Sequence, residues 1–447
     1  MQSSPVRWSA ASRRTTEQPI NYFIQQALEN PRLISLAAGL VDPLSLPADD
    51  LAAATAFVLG QPDRAQAALQ YGTTHGYPPL REKLLTHIAA LDGATPAELA
   101  LTADDVVLTT GSQQLLYLVA ELLFDPGDII ITEAPSYFVY QSALNTFGVQ
   151  TRTVPMDEDG MNTDALADLL AHMERTGELA RLKLIYVCDY FQNPTGRTLS
   201  LPRRRQLLEL AERYSKHQRI FILEDAAYRE LRYDGADVPS IKSLDRDNRH
   251  VLLAMTFSKP CAPGLKTGYG VLPRELVAPL LRLKGNHDFG SCNLTQHVLD
   301  RLLETGAYGR HVDKLRQVYR EKRDALLNAL AAEFGSDTTS QVRWTHPEGG
   351  LYVWLMFAPE VHTGPDSPLM QAALREGVLY VPGRCCYVGT DVPDHEARLS
   401  FGVVPRAQIG EAVRRLARAV QHQREAPARE TVASALALPT DATGLHS

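Results

Sequence analysis

The chain is poor in the residues that build metal sites and covalent staples. Its 447 residues include five cysteines, Cys188, Cys261, Cys292, Cys385 and Cys386, an odd number with no CxxC pair. That spacing signals neither a zinc site nor a disulfide framework, so no metal is expected and a reducing cytoplasm fits best. No uninterrupted apolar run reaches the roughly 18 residues that suggest a membrane helix. A long basic run is also missing. With 45 lysines and arginines against 52 acidic residues, a net charge of -7 and a pI near 6.0, the chain offers no field for nucleic acid or an anionic membrane. A small molecule is the expected partner. Internal repeats at solenoid spacing are absent as well.

What is present suffices for a substantial core: 45% of residues are apolar and 22% charged, which fits one large domain plus a smaller one. The first sixteen residues carry Arg7, Arg13 and Arg14 among serines, but Pro5 and the lack of an apolar face make them a flexible arm rather than a transit peptide. Residues 1–45 read as this arm, a helix over Ile20 to Glu29 and an extended stretch from Ile34 to Pro47. Between residues 46 and 305, short β-branched runs alternate with amphipathic stretches, the pattern of an α/β fold with a mostly parallel sheet sandwiched by helices. The expected strands are Val106 to Thr109, Asp128 to Thr132, Leu184 to Val187, Ile220 to Glu224 and Val251 to Thr256. The expected helices are Gln113 to Leu123, Tyr137 to Phe147, Thr163 to Arg175 and Leu201 to His217. Asp125-Pro126-Gly127 marks a turn, because Pro presets φ and Gly accepts positive φ. From 306 to 424 a long helix, Arg310 to Phe334, strands near Leu351 to Met356 and Ala397 to Val403, and a helix near Ile409 to His422 make a smaller α+β domain. Residues 425–447 read as a disordered tail rich in Ala, Thr and Pro.

Lys259 stands in Thr256-Phe257-Ser258-Lys259-Pro260-Cys261-Ala262-Pro263-Gly264-Leu265-Lys266, behind two hydroxyls and seven residues ahead of a second cation. That arrangement suits an imine to an aldehyde whose phosphate lies alongside, and pyridoxal 5′-phosphate is the cofactor that needs it. Its remaining needs have candidates at the ends of other expected strands, where ligands of open α/β sheets gather. Gly111, Ser112 and Gln113 open a helix whose free N–H groups and positive end suit a dianion. Asp225 ends an apolar strand and suits the ring nitrogen, since an adjacent carboxylate favours its protonated form. Alternation sends the adjacent Glu224 to the other face. Tyr228 and Asn193 suit the phenolic oxygen, Thr256, Ser258 and Lys266 the phosphate, and Tyr137 the ring face. Arg398, in a strand pattern, matches an α-carboxylate with two parallel bonds.

The ordered set Gly111-Ser112-Gln113, Asn193-Pro194-Thr195-Gly196, Asp225-x-x-Tyr228, Ser258-Lys259 with Pro263-Gly264, and Arg398 resembles the fold-type I aminotransferases of class I/II, near the 2-aminoadipate and kynurenine aminotransferase branch. Leu69-Gln70-Tyr71-Gly72, Tyr228-Arg229-Glu230-Leu231 and Glu348-Gly349-Gly350-Leu351 support the likeness, which runs from about Ile34 to Val420. The resemblance implies an aspartate-aminotransferase-like large domain with a smaller one, and a homodimer with sites at the subunit boundary. It further implies that Tyr71 reaches the neighbour's phosphate and Gly39 lines the substrate entrance. Lys259 would hold the cofactor and shuttle the proton between Cα and C4′. The implied reaction moves the α-amino group of an L-amino acid to a 2-oxo acid such as 2-oxoglutarate.

Some residues depart from that pattern. Lys266 stands where an arginine fork is usual, Ala226 where a second acid is common, and Asp189-Tyr190 where a proline is common; Thr73 and His75 replace a common Pro and Glu. All are expected close to substrate or phosphate, and those at Lys266, Ala226 and Asp189 support an alternative, β- or γ-elimination or replacement, or amine oxidation. A third reading, the effector domain of a transcription regulator, needs a winged helix ahead of the domain, and about 33 residues precede the first motif. His287 is expected in a solvated loop and Cys385-Cys386 as small buried residues.

Overall fold

In the computed structural model the described residues are 6–16, 19–30, 32–335 and 342–425. The expected tail lies outside them apart from Glu425, which ends the last helix, Arg406–Glu425. The amino-terminal arm is more structured than its composition suggests. Ala10–Arg14 forms a short helix capped by Ser9, and Arg14 donates to the Thr146 carbonyl. After the helix Pro19–Glu29, the segment expected to be extended is only partly so. It begins as strand β1 (Ile34–Ser35) and bends through a 3-10 turn at Pro43–Ser45.

Three helices, Ala48–Leu59, Pro62–Leu69 and Pro78–Leu91, then precede the main sheet. That sheet has eight strands: β2 (Val106–Thr109), β3 (Ile129–Ala134), β4 (Gln150–Asp157), β5 (Gly160–Met161), β6 (Leu182–Val187), β7 (Phe221–Asp225), β8 (Val251–Thr256) and β9 (Gly268–Val271), in the order β2-β9-β8-β7-β6-β3-β4-β5. The centre, β8-β7-β6-β3-β4, is parallel; β9 runs antiparallel between β2 and β8, and β5 antiparallel to β4. Both faces are covered, and strands buried on both faces read as nearly continuous apolar runs. Alternation divides them cleanly: Ile130, Leu184, Tyr186 and Leu223 enter one core, Ile129, Ile131, Ile185 and Ile222 the other. The turn before β3 forms as expected, with Gly127 at φ +95°.

Helix Ala307–Phe334 leads to a second, antiparallel sheet. Its strands are β10 (Arg343–Trp344), β11 (Tyr352–Met356), β13 (Val381–Pro382) and β14 (Glu396–Ser400), ordered β10-β11-β14-β13; β12 (Val378–Leu379) pairs in parallel with β1. The amino-terminal segment is thereby tied to the strand that leads into β13, and the Ser400 N–H at the end of β14 donates to the Leu36 carbonyl at 2.7 Å, which holds residues 36–40 beside the second sheet. No helix among the described residues is long and apolar enough to cross a membrane.

Candidate active site

The carboxyl ends of β2, β6, β7 and β8 surround a cavity of about 170 Å³. Gly111, Ser112, Gln113, Tyr137, Asn193, Asp225, Tyr228, Thr256, Ser258, Lys259 and Lys266 all line it. A second cavity of about 130 Å³ adjoins it, bounded by Gly39, Leu40, Phe138, Val139, Tyr352 and Arg398. Tyr137, Asn193, Tyr228 and Lys259 belong to both walls. A larger polar cleft of about 610 Å³ lies at the opposite, amino-terminal ends of β7 and β8, between Lys216 and His250. It is open surface and holds none of the residues singled out above.

At the first cavity's floor, Asp225 is 4% exposed and accepts hydrogen bonds from the Tyr186 hydroxyl (2.9 Å) and the Ala227 N–H (3.3 Å). Tyr186 pairs in register with Leu223, so Asp225, two residues further, shares its face. Glu224 lies on the other face, where it accepts from the N–H groups of Ile241 and Lys242 and pairs with Arg204. Burial lifts the Asp225 carboxyl to about 6, with those two donors opposing the rise. No cation of the described chain pairs with it. A protonated ring nitrogen would supply the missing counter-charge, so Asp225 fits pyridoxal phosphate at this end.

The phosphate end fits as well. Helix Gly111–Leu123 starts at the cavity with an N-cap, Thr110, whose side chain makes no capping bond, leaving the first N–H groups free for an anion. The helix reaches this place because Gly268 in β9 has no side chain: a Cβ there would stand 2.6 Å from the Ser112 nitrogen and 2.7 Å from the Gly111 carbonyl carbon. Thr256 and Ser258 are hydrogen-bonded to each other at 3.0 Å between hydroxyl oxygens. Lys266 is exposed at the rim, in the left-handed conformation at φ +48°.

Lys259 is half-buried, and its Nζ donates to the Gly39 carbonyl at 2.7 Å. Arg398 is 1% exposed; it donates to Asn193 Oδ1 at 2.8 Å and to the Ala37 carbonyl at 2.7 Å, and its guanidinium carbon lies 4.6 Å from the Tyr352 ring centroid. Its Nε is buried without a hydrogen-bond partner. Tyr71 is the exception: its side chain is 89% exposed and lines neither cavity.

Two readings of the departures need correction. Asp189 and Ala226 do not face either cavity. Asp189 is fully buried and paired with Arg204, whose guanidinium lies 4.1 Å from the Tyr190 ring centroid, so Asp189-Tyr190 completes a charged core cluster instead of touching ligand. Of the three departures that motivated elimination chemistry, Lys266 alone remains at the site. His287 sits in the last turn of helix Arg274–Asp288, not in a loop, and pairs with Glu121 at 2.8 Å. His75 meets Arg81 at 3.2 Å, and Thr73 closes its own turn onto Gly76.

Glu133, which carries no motif in the sequence, ties the site's loops together. Its Oε2 accepts from Gln192 Nε2 (2.7 Å) and the Cys188 N–H (3.1 Å), and Gln192 also donates to the Pro135 carbonyl. The turn carrying Tyr137 is thus bound to the turn carrying Asn193. Burial pushes the Glu133 carboxyl up to about 8, its two donors lowering it and nearby Asp225 raising it. The folded protein therefore keeps a proton that the unfolded chain releases near pH 4.5, a cost that grows with pH and is complete above about 8. From pH 6 to 9 the loss is about 2–3 kcal/mol. Glu133→Gln keeps an acceptor for both donors and cannot ionise. Urea unfolding of the cofactor-free protein at the two pH values should show a flatter pH slope for the variant; equal slopes would place the proton elsewhere.

The comparisons with known proteins agree with this geometry. The family description "Aminotransferase class I and II" matches residues 34–416. An aromatic-amino-acid aminotransferase of Thermococcus litoralis is 36% identical over 89% of this chain and 90% of its own. A 2-aminoadipate transaminase of Thermus thermophilus is 34% identical over 93% and 98%. The crystal structure of Pyrococcus horikoshii kynurenine aminotransferase with PMP superposes with a TM-score of 0.85 at 32% identity, covering 94% of this chain and 98% of the other. With a likeness that spans both sheets and every loop around the two cavities, the chain belongs to the class I and II aminotransferases, pyridoxal-phosphate-dependent enzymes that transfer amino groups.

Proposed function

We propose that the chain moves the α-amino group of an L-amino acid with an aromatic or apolar side chain to a 2-oxo acid, and that Lys259 moves the proton. The observation that carries this reading is the shared wall: Lys259 stands where the cavity over Asp225 meets the cavity under Arg398. Bound pyridoxal phosphate supplies the aldehyde that takes up the amino group and the ring that accepts the Cα–H electron pair. Asp225 keeps a proton on the ring nitrogen, while Asn193 and Tyr228 hold the phenolic oxygen. The N–H groups of Ser112 and Gln113, the hydroxyls of Thr256 and Ser258, and the Lys266 ammonium hold the phosphate. As a single-point cation, Lys266 grips less tightly than a guanidinium fork does. Tyr137 covers the ring face. Arg398 takes the substrate carboxylate and so aims Cα–H at the lysine amine, which accepts that proton and returns it.

The side-chain preference follows from the second cavity's wall. Leu40, Phe138, Val139 and Tyr352 present apolar surface there, and Arg398 and Lys259 are its only cations among the described residues. A distal carboxylate on the donor would have no cation of its own to meet. The relatives named for aromatic amino acids and kynurenine favour the same class, whereas the relative named for 2-aminoadipate, a donor with a distal carboxylate, favours the acidic one.

A homodimer completes the site in this reading. Tyr71 is turned outward, and Leu44, Leu69 and Phe289 are exposed apolar side chains at 84%, 66% and 78%. A neighbour would cover these surfaces, and Tyr71 of the partner subunit would reach the phosphate. The two sheets on either side of helix Ala307–Phe334 would be the large and small domains. A half-reaction screen tests the donor class. Phenylalanine, tyrosine and leucine should convert the bound cofactor to its amine form at least ~10-fold faster, in kcat/KM, than aspartate or glutamate, the scale of one buried apolar contact. Equal or faster conversion by the acidic donors would overturn the assignment.

A further inference from the structure

The motif Glu348-Gly349-Gly350-Leu351 ends one residue short of a side chain that meets Tyr228, Arg398 and Gly39. Tyr352 begins β11 and is 1% exposed. Its hydroxyl lies 2.9 Å from the Tyr228 hydroxyl, with the two rings edge to face at 78°. Its ring backs the Arg398 guanidinium, and its hydroxyl fills the space beside Gly39, where a Cβ would come within 2.5 Å of it. Its carbonyl oxygen would lie 2.7 Å from a Cβ at Gly196, so its backbone also rests on the turn that carries Asn193. Both neighbouring glycines are required for that approach.

We infer that Tyr352 is a positioning residue for the transfer: its hydroxyl donates to Tyr228 and thereby aims the Tyr228 proton at the cofactor's phenolic oxygen, while its ring holds the plane of Arg398. The direction follows from proton counting. A tyrosine has one O–H to donate, so a Tyr228 that donates to the ring oxygen can only accept from Tyr352. Such a chain polarises its second link, strengthening the donation at the ring oxygen. A strong donor there favours the form in which the lysine-linked nitrogen has lost its proton, because the oxygen's negative charge then has no adjacent positive charge. The other contact is separable, since phenylalanine keeps the ring against Arg398 and loses only the hydroxyl.

The inference rests on the placement of Tyr228 and Arg398 given above, and the experiment separates the two. The visible absorbance of the cofactor-loaded enzyme, followed against pH, reports protonation of the nitrogen joined to Lys259. In Tyr352→Phe the midpoint should move up by about half a pH unit, the scale of a weakened hydrogen bond, with KM for the amino donor within about twofold. In Tyr352→Leu, which removes the ring that backs Arg398, KM should rise about tenfold. Tyr137, Cys188, Asp225, Tyr228, Lys266 and Arg398, the other titratable groups lining the two cavities with Lys259, are unchanged in both variants. Tyr228→Phe should move the midpoint further in the same direction. If it does and Tyr352→Phe stays within 0.1 unit of the parent, the relay is wrong while the reading of Tyr228 stands. If neither variant moves the midpoint, Tyr228 does not face the oxygen and both fail. A loss of thermal stability in the phenylalanine variant without a shifted midpoint would mark Tyr352 as packing only.

Discussion

Lys259→Ala should lower the rate of amino transfer by roughly 10⁴-fold or more, the upper end for removal of a single general acid–base group. The described residues supply no substitute. Among the described residues on the wall common to both cavities, the others are Tyr137, Asn193 and Tyr228. Burial holds the Tyr228 phenol well above its ordinary range, so Tyr228 is no base near neutral pH. Asn193 has no titratable proton, and the other lysine on the two cavity walls, Lys266, lies at the rim of the first. The fold should survive, because the Lys259 side chain is half-buried and its hydrogen bond is to one backbone carbonyl. A small amine added to the variant should recover part of the lost rate, since the missing function is proton transfer in a space the truncation opens. Full activity in the variant, or loss of the folded state alone, would contradict this role.

Asp225→Asn should move activity and cofactor-free stability in opposite directions. Removing one partner of a buried ion pair costs about 3–5 kcal/mol, which in the transition state for Cα–H cleavage is roughly 10²–10⁴-fold in kcat. In the cofactor-free protein the sign reverses. Burial raises the Asp225 carboxyl from 3.8 to about 6, so ionisation is a cost that begins near pH 4 and is fully present above about 6. At pH 8 the asparagine variant escapes that cost, up to about 2–3 kcal/mol. Its cofactor-free melting temperature should exceed the parent's there and converge with it near pH 4. A carboxylate kept only for packing would show no such reversal; lower stability at pH 8 in the cofactor-free variant would reject the charge argument.

The parts of the site that could be read from the sequence are those set by local rules. Asp225 and Glu224 separate onto two faces because a strand alternates. Gly111-Ser112-Gln113 opens a helix because the apolar period begins there, and Lys259 follows a strand that the sequence delimits at Val251 and Thr256. What escaped depends on tertiary contact. Strand β9, Gly268-Tyr269-Gly270-Val271, has little strand propensity; its glycines are chosen for the close approach of helix Gly111–Leu123. Asp189 reads as a residue near the ligand until Arg204, fifteen positions away, is seen to bury with it. Glu133 and Tyr352 carry no motif of their own, since their partners Gln192 and Tyr228 lie 59 and 124 residues away. Of the helices before β2, Ala48–Leu59 buries only Ala54 and Val58 and Pro62–Leu69 only Ala68, faces too narrow to show as a period, whereas Pro78–Leu91 buries a full stripe that includes Leu80, Leu84, Leu85 and Ile88; the exposed Tyr71 acquires a role only if another subunit is present.

Reduction of the cofactor-loaded enzyme with borohydride, followed by proteolysis and mass analysis, interrogates the covalent attachment itself. The phosphopyridoxyl mass should be found on one peptide, the one containing Lys259, at about one label per chain, and on no other of the nine lysines. Label on Lys266 or any other lysine, or none at all, would contradict the placement of the cofactor over Asp225 and the mechanism that depends on it.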